Sequence, residues 1–380
     1  MRLPVRKLLT TVRKASPDSD PLCGDAMTQF SVLARGEDLC NESRGEFDRG
    51  PAMPGTSRTT HCPLSHKRTI FVRPQHRRTG WCNSTSPLVI TDSLTLSHPA
   101  ADPLSDKSLQ RADGCGRLVL SSSENGTRIE DVFERSPTRI MFPRTGHSPV
   151  EEAVVINTGG GVAGGDQLEF SVTALPGASI AVTSQAAEKV YRALHDPARV
   201  TTRLKARESA RLAWLPQESI VFNGARIHRT TEIELFSGAE LLALEWLVLG
   251  RAAHGEIMVG GSVLDGWRVK KDGRLIWADS FRISDEIFVH LNRKALLSNF
   301  NSIATLVYFG PDVDRRLQFL REILSSLGCD CAVTLVSGLI VARFAAKQSS
   351  DLKLALRNFL QRFSREVGPG PFGVPKMWSC

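Results

Sequence analysis

Apolar and polar residues alternate with a period near two through much of the stretch from residue 153 to 309, which is the mark of strands with one face buried. Strand-like runs recur at short intervals: Ala153–Ile156, Leu168–Val172, Ser179–Thr183, Val200–Lys205, Ala210–Trp214, Ile227–Leu235, Glu240–Val248 and Ser302–Phe309. The clearest hairpin joins Trp267–Lys270 to Arg274–Trp277 through Lys271-Asp272-Gly273, because Asp-Gly supplies the positive φ that a tight turn needs. The period then changes. Val313–Leu327 sets Leu317, Leu320, Ile323, Leu324 and Leu327 on one helical face, and Asp351–Val367 does so with Leu352, Leu356, Phe359, Leu360 and Phe363. Ser350 is the expected N-cap of the second helix. Between the two, Ala332–Val336 and Leu339–Phe344 read as strands around Ser337-Gly338. The pattern predicts a mainly β body, α+β overall, with residues 114–310 mostly strands and two α-helices confined to 311–380.

Residues 1–113 lack this texture. They are rich in Ser, Thr, Pro, Asp and Arg, and Pro51–Gly55 and Asn83–Pro87 are loop chemistry. A disordered extension, or a translation start placed too far upstream, is the expectation there. The N-terminus is basic but has no apolar core of a secretory signal, so a cytoplasmic location is expected. No run of 18 apolar residues spans a membrane, while 41% hydrophobic content suffices for a sizeable core.

The net charge of +8 is shared between the leader and the remainder. A nucleic-acid reading rests only on the cluster from His66 to Arg78, with Phe71 and Trp81 nearby, and a solvated tail accounts for it better. Eight cysteines form no C-x-x-C, the only close pair being Cys329-Asp330-Cys331, and nine histidines form no H-x-H or H-x-x-x-H. A tight metal site built by this chain alone is not expected. Neither a nucleophile frame G-x-S-x-G nor a phosphate loop G-x-x-x-x-G-K-[ST] occurs, so no catalytic residues are assigned.

Gly159-Gly160-Gly161-Val162-Ala163-Gly164-Gly165-Asp166 contains a literal G-x-G-x-x-G and invites a dinucleotide oxidoreductase reading. That motif has a mechanism only when a helix comes next to receive the pyrophosphate. The next residues here, Gln167–Thr173, alternate as a strand, so the glycines join strand to strand and the reading fails. A tight turn with close backbone approach explains them better, with Asp166 bonding turn amides.

Further segments accompany the loop: Lys189, Tyr191 and Arg192; Trp214, Pro216, Gln217 and Glu218; Gly250 and Arg251 with Gly255 and Glu256 just beyond; and Val374–Trp378. In this order and at these separations the set resembles the urease accessory protein D family, from about Gly116 to the C-terminus. Thr158 departs from the proline found there in many relatives. The resemblance implies a β-helix-like stack of strands and a chaperone or scaffold, not an enzyme. Such a protein assists insertion of nickel into apo-urease together with accessory proteins F and G, with GTP used by G and no cofactor bound tightly by this chain. It further implies docking of the C-terminal helical region on accessory protein F, in a dimeric assembly, for which Leu352, Leu356, Phe359, Phe363 and Trp378 are the candidates. Asp166, Lys189 and Glu256 match polar positions of the family and are candidates for lining a weak nickel route, since a divalent ion moves best past dispersed oxygen ligands.

Overall fold

The computed structural model describes residues 110–143 and 152–379, and two β-sheets dominate it. The chain opens with β1 (Asp113–Ser123), β2 (Gly126–Arg135), β3 (Thr138–Met141) and β4 (Glu152–Asn157). After these come β5 (Gln167–Ala174), β6 (Ser179–Ser184), β7 (Glu188–Val190), β8 (Ala198–Ala206), β9 (Arg211–Trp214) and β10 (Ser219–Val221). The middle of the chain adds β11 (Arg226–Leu235), β12 (Glu240–Leu249), β13 (Ser262–Lys271) and β14 (Arg274–Ile283), a short helix α1 (Asp285–Phe288), and β15 (Ser302–Phe309). Its end supplies α2 (Val313–Ser325), β16 (Asp330–Val336), β17 (Leu339–Ala346) and α3 (Ser349–Val367).

Sheet A runs β14-β13-β11-β8-β5-β1-β2 and sheet B runs β16-β17-β15-β12-β9-β6-β4-β3, with β10 and β7 added beside β12. From β5 to β13 the chain visits A and B by turns, and each new strand pairs in parallel with one laid down a circuit earlier. This is a solenoid-like stack, and stacking aligns like positions into rows. One such row on the inner face of A is Leu118, Val172, Leu204, Ile233 and Val269. Antiparallel hairpins close the stack, and at β13–β14 Asp272 and Gly273 take the expected positive φ of 49° and 79°.

Apolar side chains between the sheets form one core, and a second lies between the outer face of B and helices α2 and α3. β12 faces both and is buried at every position, which is why Glu240–Leu249 is so apolar.

Several expectations need correction. Gln348, not Ser350, is the N-cap of α3; Ser350 lies inside the helix, its hydroxyl 3.4 Å from Asp351 Oδ1. α1 is a third α-helix, too short to leave a periodic signature. β1 to β3, β7 and β10 were not foreseen, and β2 shows why for its own part of the sheet. Its sequence, GTRIEDVFER, is mostly exposed and charged, as an edge strand must be to resist pairing with other chains. The leader expectation falls outside the described residues, apart from 110–113, where Asp113 already belongs to β1.

The partner-docking assignment changes most. Leu352, Leu356, Phe359 and Phe363 are 0% exposed. Phe359 lies 5.8 Å from Phe344 and 5.6 Å from Phe363, centroid to centroid. Trp378 is also buried, its indole N–H donating to the Leu215 carbonyl at 3.1 Å and its ring 6.0 Å from that of Trp246. These five side chains are engaged by their own chain, because an amphipathic helix lying beside an apolar sheet face buries its stripe there first. They therefore present no surface to a partner.

Candidate functional site

The glycine loop connects β4 in sheet B to β5 in sheet A, so no helix N-terminus stands behind it and the dinucleotide reading is excluded by topology. Its glycines are required sterically. A Cβ on Gly161, whose φ is 147°, would stand 2.4 Å from Tyr191 Cε2 and 2.7 Å from the Lys189 carbonyl oxygen. One on Gly164 would stand 2.5 Å from the Asp196 carbonyl oxygen. The loop is thereby pressed onto the 189–196 segment, where Val162 N–H donates to Lys189 O at 2.7 Å and Tyr191 Oη donates to Gly160 O at 3.0 Å.

The other family-like segments meet at this end of the stack. Tyr191 packs edge-on against Phe222 at 5.3 Å, and the Arg251 guanidinium lies over the same ring, 4.1 Å from its centroid. Arg251 pairs with Glu256 at 2.9 Å, Gly250 takes φ 80°, and Gly255, at φ 66°, ends the turn between them. Arg192 pairs with Ala225 and lies against Gly224. Gln217 is a strut: its side chain donates to Gln185 O at 2.7 Å and accepts from Lys353 Nζ of α3 at 3.1 Å. The Pro216 carbonyl accepts the Trp246 indole N–H at 3.0 Å.

The three candidate route residues are not joined. Asp166 is buried, and both its oxygens are taken by backbone amides, those of Ala112 at 2.9 Å and Ala163 at 2.7 Å. It is a turn-bonding carboxylate that ties the loop to the start of β1. Both oxygens of Glu256 face Arg251, whose guanidinium bonds and charge hold that carboxyl below its ordinary range. Lys189 is exposed. Among the described residues no hydrogen bond or ion pair links the three, and each carboxylate is held in place by nearer, structural partners.

A different polar set lies within the stack. Alternation on β11 and β13 turns Arg229 and Asp265 inward, in the same row as Gly114, Leu168 and Val200. Arg229 Nε and Nη2 donate to the two oxygens of Asp265 at 2.9 and 2.8 Å. Its Nη1 reaches across to sheet B, 2.8 Å from Glu245 Oε2 and 3.2 Å from Ser219 Oγ. Glu245 Oε1 accepts the Trp214 indole N–H at 2.8 Å. All three charged residues are at most 6% exposed. Burial pushes the Glu245 carboxyl up against the pull of Arg229. Burial also opposes the charge on Arg229, yet the two carboxylates hold its pKa above the usual value. One cation thus faces two acids, an arrangement that costs desolvation and adds little net stability. In the adjacent row Thr231 Oγ1 and Trp267 Nε1 are buried with no protein partner, as is Glu218 Oε2 at the end of the Trp214–Glu218 segment.

Glu188 links this interior to the glycine loop. Asn157 Nδ2 donates both to the Gly161 carbonyl and to Glu188 Oε1, each at 3.0 Å. Glu188 on β7 is in register with Ser219 on β10, and Ser219 accepts from Arg229. Burial drives the Glu188 carboxyl up to about 7, against the bonds from Asn157 and the Lys189 amide. Polar positions therefore run in succession from Gly161 through Asn157, Glu188, Ser219 and Arg229 to Asp265 and Glu245. Sequence reasoning missed Glu188, Arg229, Glu245 and Asp265. A usable signal existed: a charged residue at an inward position of an alternating strand, as in Ile227-His228-Arg229-Thr230-Thr231, is a polar group the fold must bury.

A family model described as UreD urease accessory protein matches residues 112–379. The urease accessory protein UreD of Xanthobacter autotrophicus is 38% identical over 270 residues, covering 71% of this chain and 91% of that protein. The like-named protein of Mesorhizobium japonicum is 40% identical over 273 residues, covering 71% and 95%. That of Chelativorans sp. is 35% identical over 284 residues, covering 75% and 100%.

Proposed function

The chain belongs to the UreD family of urease accessory proteins, and from that premise we propose that it is a scaffold that helps deliver nickel to apo-urease. In this reading it acts in the cytoplasm with accessory proteins F and G, GTP is bound and hydrolysed by G, and nickel is cargo and not a resident cofactor. The observation that carries the proposal is the succession of polar residues from the glycine loop to the Arg229–Asp265–Glu245 cluster. Apolar side chains fill most of those rows, and even a fully paired buried charge cluster adds little net stability over them.

The chemistry fits transient passage. Carboxylate, hydroxyl and water oxygens bind a borderline divalent ion weakly when they are dispersed. Glu188, poised near neutrality, gives up its proton when a cation approaches and recovers it on departure. Glu245 offers a second carboxyl whose charge is only partly offset by Arg229. Asp166 and Glu256 hold the loops at the mouth of this polar succession, a positioning part, not a liganding one. Among the described residues, no helix is long and apolar enough to cross a membrane.

Reconstitution tests the proposal. Apo-urease, nickel, GTP and accessory proteins F and G are combined with and without this chain, and nickel bound per urease is measured. Loading that depends on the chain is expected; equal loading in its absence would overturn the reading.

A further inference from the structure

The outer face of sheet A carries its charges in rows, because strands in register set like positions side by side. In one row Arg203 of β8, Glu232 of β11 and Arg268 of β13 stand in succession, and in the next Lys205, Glu234 and Lys270 do. Arg203 donates to Glu232 at 3.2 Å, and Lys205 pairs with Glu234 at 2.8 Å. In both rows β11 places a carboxylate between the bases of its neighbours, which is the arrangement opposite charges favour across strands.

The row near the start of these strands breaks the pattern. There β8 supplies Arg199, β11 supplies His228 where the other rows have an acid, β13 supplies Leu264 and β14 supplies Arg282. Arg199 Nη1 lies 3.5 Å from His228 Nδ1. Both arginines are exposed and His228 is half-buried. Among the described residues no carboxylate forms an ion pair with Arg199 or Arg282. The acids close by are engaged elsewhere. Asp113, farther along the row, pairs with Arg135 at 2.7 Å, and Asp285 pairs with Arg226 at 2.7 Å while accepting from the Gly261 amide at 2.6 Å. Asp196 lines the shallow cleft beside Arg199 without pairing with it. Bases gathered in this way repel one another until an outside anion joins them.

We propose that the Arg199–His228–Arg282 row is a docking site for an acidic segment of a partner protein, whose carboxylates take the place that Glu232 and Glu234 hold in the other rows. The row is open, and Arg199 and Arg282 stand on strands separated by three strand spacings, roughly 14 Å. An extended chain covers that span in about four residues, so acids at its two ends meet both guanidiniums at once. Each guanidinium can hold a carboxylate through paired N–H groups. Binding is coupled to a proton. Burial, and then the charges of Arg199 and Arg282, hold the His228 imidazole below its ordinary range; a carboxylate beside it favours the imidazolium. The charged groups facing it are Arg199 on β8, Arg282 on β14 beyond the uncharged Leu264, and on its own strand Arg226, already neutralised by Asp285. Attraction for the acidic segment therefore strengthens as pH falls.

The test uses the full chain and a capped, fluorescently labelled oligoglutamate peptide, followed by anisotropy at pH 6 and pH 8, with an oligoglutamine peptide and inorganic phosphate as controls. Saturable binding that is tighter at pH 6 is expected, with the glutamine peptide inert. Arg199→Gln combined with Arg282→Gln should weaken it roughly tenfold, the worth of two exposed ion pairs. Arg268→Gln combined with Lys270→Gln removes the same charge from rows that have their own acids, and should leave affinity within about twofold. His228→Glu completes the row from within, so it should abolish binding and raise the melting temperature. The His228 imidazole resonance, identified by its loss in that variant, should titrate at higher pH when peptide is bound. Absence of saturable binding at pH 6, or a His228 titration unmoved by saturating peptide, overturns the proposal. Equal losses from the two double variants overturn it by reducing the attraction to net charge. Phosphate that shifts the His228 resonance while the peptide does not bind overturns it in favour of a small-anion site.

Discussion

Sheet B separates two interiors that obey different rules. On its outer face, beneath α2 and α3, Leu242, Leu244, Trp246, Leu306, Phe344, Phe359 and Phe363 pack together, accompanied by the buried charged residues Glu240, which accepts from the Tyr308 hydroxyl at 2.7 Å, and Arg316. On its inner face, toward sheet A, apolar rows are interrupted by Arg229, Asp265 and Glu245, and by polar atoms of Thr231 and Trp267 that have no protein partner. The same strand, β12, supplies both sides: Leu244 and Trp246 face the helices and Glu245 faces the other sheet. The difference separates tasks. Both sides bury charge, but among the described residues it is the sheet–sheet side that gathers one buried cation and two buried carboxylates in direct contact, a desolvation cost that hydrophobic replacements would remove. The proposed route is therefore placed on the inner face.

The largest expected effect lies on the helix side. Phe359→Asp places a carboxylate where exposure is 0% and should cost more than about 4 kcal/mol, enough to unseat α3. Urea denaturation monitored by tryptophan fluorescence measures it. A loss below about 1 kcal/mol, the size of an ordinary surface change, would mean that this helix is loosely held and free to engage a partner after all.

Arg229→Met comes next. It leaves Asp265 and Glu245 buried without their cation, a change of about 3–5 kcal/mol for a broken buried pair. The double variant Arg229→Met with Asp265→Leu should recover much of that stability without recovering nickel transfer. Recovery of both would reduce the cluster to packing.

Glu188 sharpens the comparison through pH. Its folded pKa, about 7, lies above the ordinary 4.5, so the folded state binds the proton more tightly than the unfolded one. This contribution is fully present below about 4.5 and is lost as pH rises through about 7, at most about 3 kcal/mol by linkage. Glu188→Gln should flatten the stability profile across that window relative to wild type. Parallel profiles for the two proteins would contradict the burial of this carboxyl.

Asp166→Asn should have the smallest effect, about 1–2 kcal/mol, because the amide keeps one acceptor for the turn but presents N–H to the second backbone donor. Thermal melting measures it, with nickel loading per assembled complex unchanged. A specific loss of nickel would return Asp166 to the lining of a route.

The two interiors also differed in legibility. The helix side could be read directly, since Leu317, Leu320, Ile323 and Leu324, and then Leu352, Leu356, Phe359 and Phe363, repeat at helical spacing and have one physical meaning. What sequence could not supply was the occupant of that face, because burial against sheet B and burial against a partner leave the same stripe. The longer strands from 153 to 309 were legible for the same reason, while the three-residue β7 and β10 were too short to show a period, and β2 was not legible because its edge position replaced alternation with charge. The site was legible only in part. Gly161 and Gly164 announced a close approach, and the joint order of Lys189, Trp214 and Gly250 announced the family. Glu245 sits inside the apolar run Leu241–Leu249, and Arg229 and Asp265 are 36 residues apart. Only the return of the stack brings them to adjacent strands, so their pairing is a property of topology.

The central claim is that the interior polar residues, and not the loop carboxylates or the helix face, carry the accessory function. Glu245→Gln tests it most directly, because the amide retains size and can still accept from Trp214 while removing the negative charge. Nickel per urease is measured in reconstitution, normalised to the amount of assembled accessory complex. The account predicts an assembled complex at wild-type yield with nickel loading reduced several-fold. Wild-type loading at wild-type yield would contradict it.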